Sequence, residues 1–141
     1  MTEHPDVVQG FVDVYEAWVD LGGIDGFRID TVKHVNREFW DVFTTAIAQH
    51  AAAVGNPDFF MFGEVYDADP ALTAPYVRET DMDAVLDFSF QPRRRATPEA
   101  SRRRACRACS RATTCTRRRR AARRRCPTFL GNHDMGRIGY A

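Results

Sequence analysis

Residues 7 to 21 carry a clear helical pattern: Val8, Phe11, Val12, Tyr15, Trp18 and Val19 recur at steps of three and four with acids between them, and Gly22-Gly23 follows. This predicts an amphipathic helix ended by glycine. The period then changes. From Ile24 to Asp30, Phe27 and Ile29 alternate with Arg28 and Asp30, which share the opposite face of a predicted strand. Val32, Val35, Phe39, Phe43, Ala46, Ile47 and Ala51 return to steps of mostly three or four, up to the break at Gly55-Asn56-Pro57, and predict a second helix. Phe59 to Gly63 is an unbroken apolar run, as expected of a strand buried on both faces of a parallel sheet. A short helix is predicted to begin at Asp69-Pro70. Ala84 to Phe90 reads as another strand, and Pro127 to Gly131 as one more.

The resulting order, α-β-α-β-α-β and then a final strand after an arginine-rich stretch, points to an α/β fold with a parallel sheet. Three of the predicted strands stop at a carboxylic acid: Gly-Phe-Arg-Ile-Asp ends at Asp30, Met-Phe-Gly-Glu at Glu64, and Leu-Gly-Asn-His-Asp at Asp134. These acids are 34 and 70 residues apart, close to one and two copies of a strand-plus-helix unit, which takes about 31 residues in an eight-unit barrel. Equivalent strand ends are where parallel barrels place their chemistry. Three carboxyl groups converging there suggest cleavage or transfer of a glycosidic bond.

Composition changes this picture in one place. Residues 92 to 126 hold fifteen arginines, all four cysteines and a single acid, Glu99, whereas the remainder has five basic residues against eighteen acids. The overall charge of +1 therefore hides two unlike populations. The segment should supply the helix joining the last two strands, yet it shows no apolar stripe at any period. Read as a nucleic-acid arm it has dense arginine blocks at 117 to 120 and 123 to 125 but lacks aromatic residues for base stacking. Read as a zinc site it has Cys106 and Cys109 as C-x-x-C, but Cys115 and Cys126 are eleven apart and no histidine lies in the segment. The preferred reading is a shifted frame in G+C-rich coding DNA, lost near Gln91 and regained near Pro127. Resequencing that finds an intact frame would remove it. No apolar stretch approaches the roughly 20 residues of a membrane span, and the start shows neither a basic region nor an apolar signal core, so localisation is left open.

Three blocks carry a specific resemblance: Gly26-Phe27-Arg28-Ile29-Asp30-Thr31-Val32-Lys33-His34, Phe62-Gly63-Glu64-Val65-Tyr66-Asp67, and Phe129-Leu130-Gly131-Asn132-His133-Asp134. In order and separation they resemble signature blocks of the alpha-amylase family of glycoside hydrolases (family 13). The resemblance covers residues 8 to 91 and 127 to 141. It implies an incomplete (β/α)8 TIM barrel holding roughly strands four to seven with their helices, residues 1 to 141 being a fragment of the catalytic barrel. It also implies roles: Asp30 as nucleophile, Glu64 as general acid/base, and Asp134 as the acid that grips sugar hydroxyls in the transition state. Arg28, Lys33, His34 and His133 would be substrate-binding.

Elementary electrostatics fits this division. Arg28, on the same strand face as Asp30, favours an ionised nucleophile, while the apolar run before Glu64 favours a carboxyl that keeps its proton. The plainer readings are that Lys33 and His34 only begin a helix, that Tyr66 and Asp67 are turn residues, and that Phe11, Tyr15, Trp18, Phe39 and Trp40 pack rather than stack on sugars. The resemblance implies a structural calcium ion in the complete parent enzyme, to which His34 would offer a carbonyl, but no metal is assigned to this chain. Without the block that closes the third strand, and without strands one to three and eight, the sheet has open edges and the isolated chain is expected to be inactive. The expected substrate is an α-glucan or maltooligosaccharide, with no membrane partner and nucleic acid disfavoured. The alternatives are a transglycosylase of the same family, or a non-catalytic remnant whose arginines bind nucleic acid.

Overall fold

A computed structural model describes residues 2–89, 127 and 132–134 of the chain. The segment 92 to 126 and most of the strand expected at 127 to 131 lie outside the described residues. Within them the order is α1 (Pro5–Asp20), β1 (Gly26–Ile29), a 3-10 turn (Val32–His34), α2 (Arg37–Ala53), β2 (Phe60–Gly63), α3 (Pro70–Arg78) and β3 (Ala84–Val85). The three strands form one sheet in the order β1-β2-β3, with both neighbouring pairs parallel. Gly26 lies opposite Phe60 and Ile29 opposite Gly63, so β1 and β2 end level with one another.

Local chemistry explains most boundaries. Pro5 and Pro70 begin α1 and α3, where the missing amide hydrogen is no loss. The Asp69 carboxylate accepts from the Ala71 amide at 2.8 Å, which satisfies one of the free donors of α3. Gly22 and Gly23 follow α1 with φ of 79° and 78°, the left-handed region in which glycine has no side chain to clash. Gly26 is required for another reason. A Cβ there would lie 2.0 Å from the Phe60 carbonyl oxygen, so the close approach of β1 to β2 excludes any side chain.

The core is an aromatic layer between the helices and the sheet. Tyr15 of α1 meets Phe27 and Phe43 edge-on, each with ring centroids 5.2 Å apart, and Phe27 meets Phe59 at 4.9 Å. Phe39 and Phe43 stack with their planes 12° apart, which places successive turns of α2 on the same face. Phe39, Trp40, Phe43, Ile47 and Met61 are all buried, and each such side chain contributes about 1.5–3 kcal/mol by leaving water. The Trp40 indole N–H donates to the Val32 carbonyl at 2.9 Å, so its one polar atom is satisfied inside the core. Packing therefore accounts for Phe39, Trp40 and Tyr15. Phe11 touches Phe39 edge-on at 5.6 Å while remaining 44% exposed, and Trp18 is 57% exposed.

Two expectations need correction. The second helix was expected to run from Val32, but the chain makes a 3-10 turn, becomes extended at Val35 and Asn36, and enters α2 only at Arg37. The cause is Thr31, whose left-handed backbone turns the chain sharply off the end of β1 before a helix can start. The strand expected from Ala84 to Phe90 is also shorter. β3 pairs with β2 through Ala84 and Val85, the Leu86 amide adds a bond to the Gly63 carbonyl at 2.9 Å, and the chain turns at Phe88. The Asp87 amide donates instead to the Pro127 carbonyl at 3.1 Å. No described helix is long and apolar enough to cross a membrane.

Candidate active site

The level ends of β1 and β2 bring two of the three sequence-predicted acids to one rim. Arg28 lies between them, with Nη1 3.1 Å from Asp30 Oδ1 and Nη2 3.7 Å from Glu64 Oε1. The sequence pattern pairs Arg28 with Asp30 on one strand face and is silent on Glu64. One guanidinium thus addresses both carboxylates, and its planar fork suits that geometry better than an ammonium would. The surroundings of the two acids differ sharply. The Asp30 side chain is 58% exposed and that of Glu64 9%.

Glu64 is held at three points by the end of β1 and the turn after it. Its amide donates to the Ile29 carbonyl at 2.7 Å, its carbonyl accepts from the Val32 amide at 3.0 Å, and its Oε2 accepts from the Thr31 amide at 3.3 Å. Gly63, just before it, is packed so closely that a Cβ would lie 2.6 Å from Met82 Sδ and 2.8 Å from Val32 Cγ2. The sheet and the turn together fix the direction in which Glu64 leaves its strand.

The other predicted residues divide. Lys33 Nζ donates to the Tyr66 carbonyl at 2.8 Å and ties the turn after β1 to the loop after β2. His34 is exposed at the end of the 3-10 turn. Tyr66 and Asp67 do build a turn. The Asp67 carboxylate accepts from the Asp69 amide at 2.9 Å, and the Tyr66 ring lies 4.7 Å from that of Phe88. Asp134 makes local contacts among the described residues: His133 Nε2 is 3.1 Å from its Oδ2, and its amide donates to Asn132 Oδ1 at 3.1 Å. The described contacts do not tie it to Asp30 or Glu64. Among the described residues, no group of three or more His, Cys, Asp or Glu side chains is arranged to hold a cation.

A cavity of about 400 Å³ opens beside Asp30, lined by Arg28, Asp30 and Thr31 on one wall and by Phe11, Tyr15 and Phe39 on the other. A larger opening of about 590 Å³ lies between the starts of α1 and α2 and is not lined by any of these acids. Sequence reasoning missed the Arg28 bridge to Glu64 and the Thr31 amide. Neither has a motif: each depends on strand register and on one unusual backbone conformation.

Residues 1–140 match the alpha amylase catalytic domain. The chain belongs to this family. Its members include glycoside hydrolases built on a (β/α)8 barrel, of which the described residues show a three-stranded parallel part. The chain is similar to an alpha-amylase of Streptomyces lividans, at 49% identity over 140 residues, which is 98% of this chain and 15% of that protein. It is also similar to a cyclomaltodextrin glucanotransferase of Klebsiella oxytoca, at 34% identity over 61% of this chain and 14% of that protein. The crystal structure of an Anoxybacillus alpha-amylase superposes with a TM-score of 0.73 at 32% identity, covering 97% of this chain and 29% of that one. The chain therefore spans between 14% and 29% of the length of these three proteins.

Proposed function

We propose that this chain carries the nucleophile and the acid/base of a retaining enzyme that cleaves α-glucosidic bonds in starch-like α-glucans. Asp30 attacks the anomeric carbon. As that bond forms, the bond to the leaving oxygen breaks, and Glu64 supplies its proton. Glu64 then takes a proton from water, whose oxygen displaces Asp30 and releases the sugar. Asp134 and His133 grip sugar hydroxyls, and Arg28, Lys33 and His34 bind and orient around the nucleophile. In this reading residues 26 to 134 supply strands four to seven of the barrel.

The observation that carries the proposal is the Arg28 guanidinium set between an open carboxylate and a buried one at level strand ends. Retaining chemistry needs two carboxyl groups with separate duties, one free to meet the sugar and one placed to give and take a proton. Relatives named for hydrolysis and for glucan transfer share the first half of such a reaction. They differ in whether water or a sugar accepts the glycosyl group.

We also propose that the chain by itself is inactive, since its Asp30 side chain stands largely in water. The test uses two proteins, the purified chain and the S. lividans alpha-amylase with its matching segment replaced by residues 2–89 of this chain. With an aryl maltoside, the chain alone gives no turnover and the graft does. Asp30→Asn lowers kcat of the graft on the order of 10⁴-fold, and Glu64→Gln by roughly 10²–10⁴-fold. Full activity in either variant would refute its assigned role, and product analysis separates hydrolysis from transfer.

A further inference from the structure

Thr31 has φ 52° and ψ 31°, and no other non-glycine residue described has a positive φ. A β-branched residue in this region is a true outlier, costing on the order of 1–3 kcal/mol unless its surroundings hold it there. The Thr31 side chain offers no explanation, because it makes no capping bond to the turn that follows. The backbone does. This conformation points the Thr31 amide at Glu64 Oε2, 3.3 Å away, while the adjacent Val32 amide reaches the Glu64 carbonyl at 3.0 Å. Two successive amides thus clasp one residue of the neighbouring strand, one by its main chain and one by its carboxylate.

We propose that Thr31 is a positioning residue for Glu64, and that its left-handed backbone fixes which carboxylate oxygen faces the side of the nucleophile. The inference rests on Glu64 being the acid/base. Oε2 is occupied by the Thr31 amide, whereas Oε1 faces Arg28, and through it Asp30. Proton transfer therefore runs through Oε1. It gives a proton to the leaving oxygen and takes one back from water, while Oε2 keeps its main-chain donor throughout. A hydrogen bond to an ionised carboxylate is about twice as strong as one to a neutral acceptor. The clasp accordingly tightens after Glu64 gives up its proton and loosens when it regains one.

The test is the backbone amide spectrum of the full chain, labelled with ¹⁵N, which reads the clasp without needing turnover. Glu64→Ala removes the side-chain acceptor of the Thr31 amide, whatever its protonation, and keeps the main-chain acceptor of Val32. The Thr31 amide proton should move upfield by more than any other amide between residues 26 and 35, with Val32 little changed because its acceptor is main chain. Thr31→Gly keeps the amide and removes the backbone cost, so it should retain the downfield amide at position 31 and show an equal or higher Tm. An unmoved Thr31 amide in Glu64→Ala would overturn the proposal, as would loss of the downfield position in Thr31→Gly. These outcomes are separate from the kinetics: an active Asp30→Asn graft would refute the nucleophile and leave the clasp intact, while a silent Thr31 amide would refute the clasp whatever the activity.

Discussion

The aromatic layer packs against a face of the sheet and the carboxylate rim crowns the ends of its strands, and the two adjoining regions are built on opposite principles. In the layer, Phe43 is 2% exposed and touches Tyr15, Phe39 and Trp40, and every polar atom described for Trp40 and Thr44 is bonded to a nearby carbonyl. At the rim, two acids share one cation, one residue holds an unfavourable backbone angle, and Asp30 stands in solvent. The layer lowers the free energy of folding, and the rim draws on it. Strain and clustered charge at the strand ends persist because the structure beneath them is rigid.

The largest effect that would break this contrast belongs to the layer. Phe43→Ala should destabilise the chain by about 3–5 kcal/mol, measured by urea unfolding, since the removed ring leaves a cavity walled by other aromatics. A loss under about 1 kcal/mol would mean that the layer is not the source of stability. Gly26→Ala comes next. Its Cβ would strike the Phe60 carbonyl oxygen, and because main chain cannot swing aside, the β1–β2 pairing must shift, at about 3 kcal/mol. Loss of amide protection in both strands would report it.

Arg28→Ala sharpens the contrast from the other side. The Arg28–Asp30 contact is largely exposed, so its removal should cost no more than about 1 kcal/mol of stability. In the grafted enzyme the same change should lower kcat on the order of 10²-fold, as expected when reacting groups lose their alignment. Equal and small effects on both would make Arg28 a surface ion pair and nothing more.

The two regions also differ in how far they can be read from sequence. The layer is legible because burial imposes a period: Phe39, Phe43 and Ile47 mark the face of α2, and the apolar run Phe59 to Gly63 marks β2, although only one face of it is buried, Phe60 and Phe62 being half-buried. Strand ends are legible too, since the acids at Asp30 and Glu64 stand where the apolar runs stop. What the sequence hides is set by geometry across the chain. Register alone places Arg28 beside Glu64, and nothing in the letters Asp-Thr-Val announces a left-handed threonine. Val35 looks like part of a helical stripe because its side chain is apolar and correctly spaced, yet its backbone is extended. The third acid is a different case, for most of its surroundings lie outside the described residues.

The smallest expected effect is at the start of α2. Glu38 is exposed, and its carboxyl is held below the ordinary glutamate value, first by hydrogen bonding to its own backbone amide and then by Asn36, whose Nδ2 lies 3.1 Å away. A carboxyl lowered on folding stabilises the fold above its unfolded value, and that contribution fades as pH falls through the folded one. Glu38→Gln should therefore lower Tm slightly at pH 7 and leave it unchanged at pH 2. A larger difference in acid than at neutrality would reverse the sign and refute the assignment.

The central claim is that Asp30 forms the bond to sugar while Glu64, across the same guanidinium, moves the proton. It is tested most directly by trapping. The graft is incubated with an activated, fluorinated α-glucosyl donor that slows release of the glycosyl group, then digested and sequenced by mass spectrometry. The account predicts one added sugar on the peptide containing Asp30, absent from Asp30→Asn. A sugar attached at Glu64, or a graft that turns over substrate with no adduct at position 30, would contradict it.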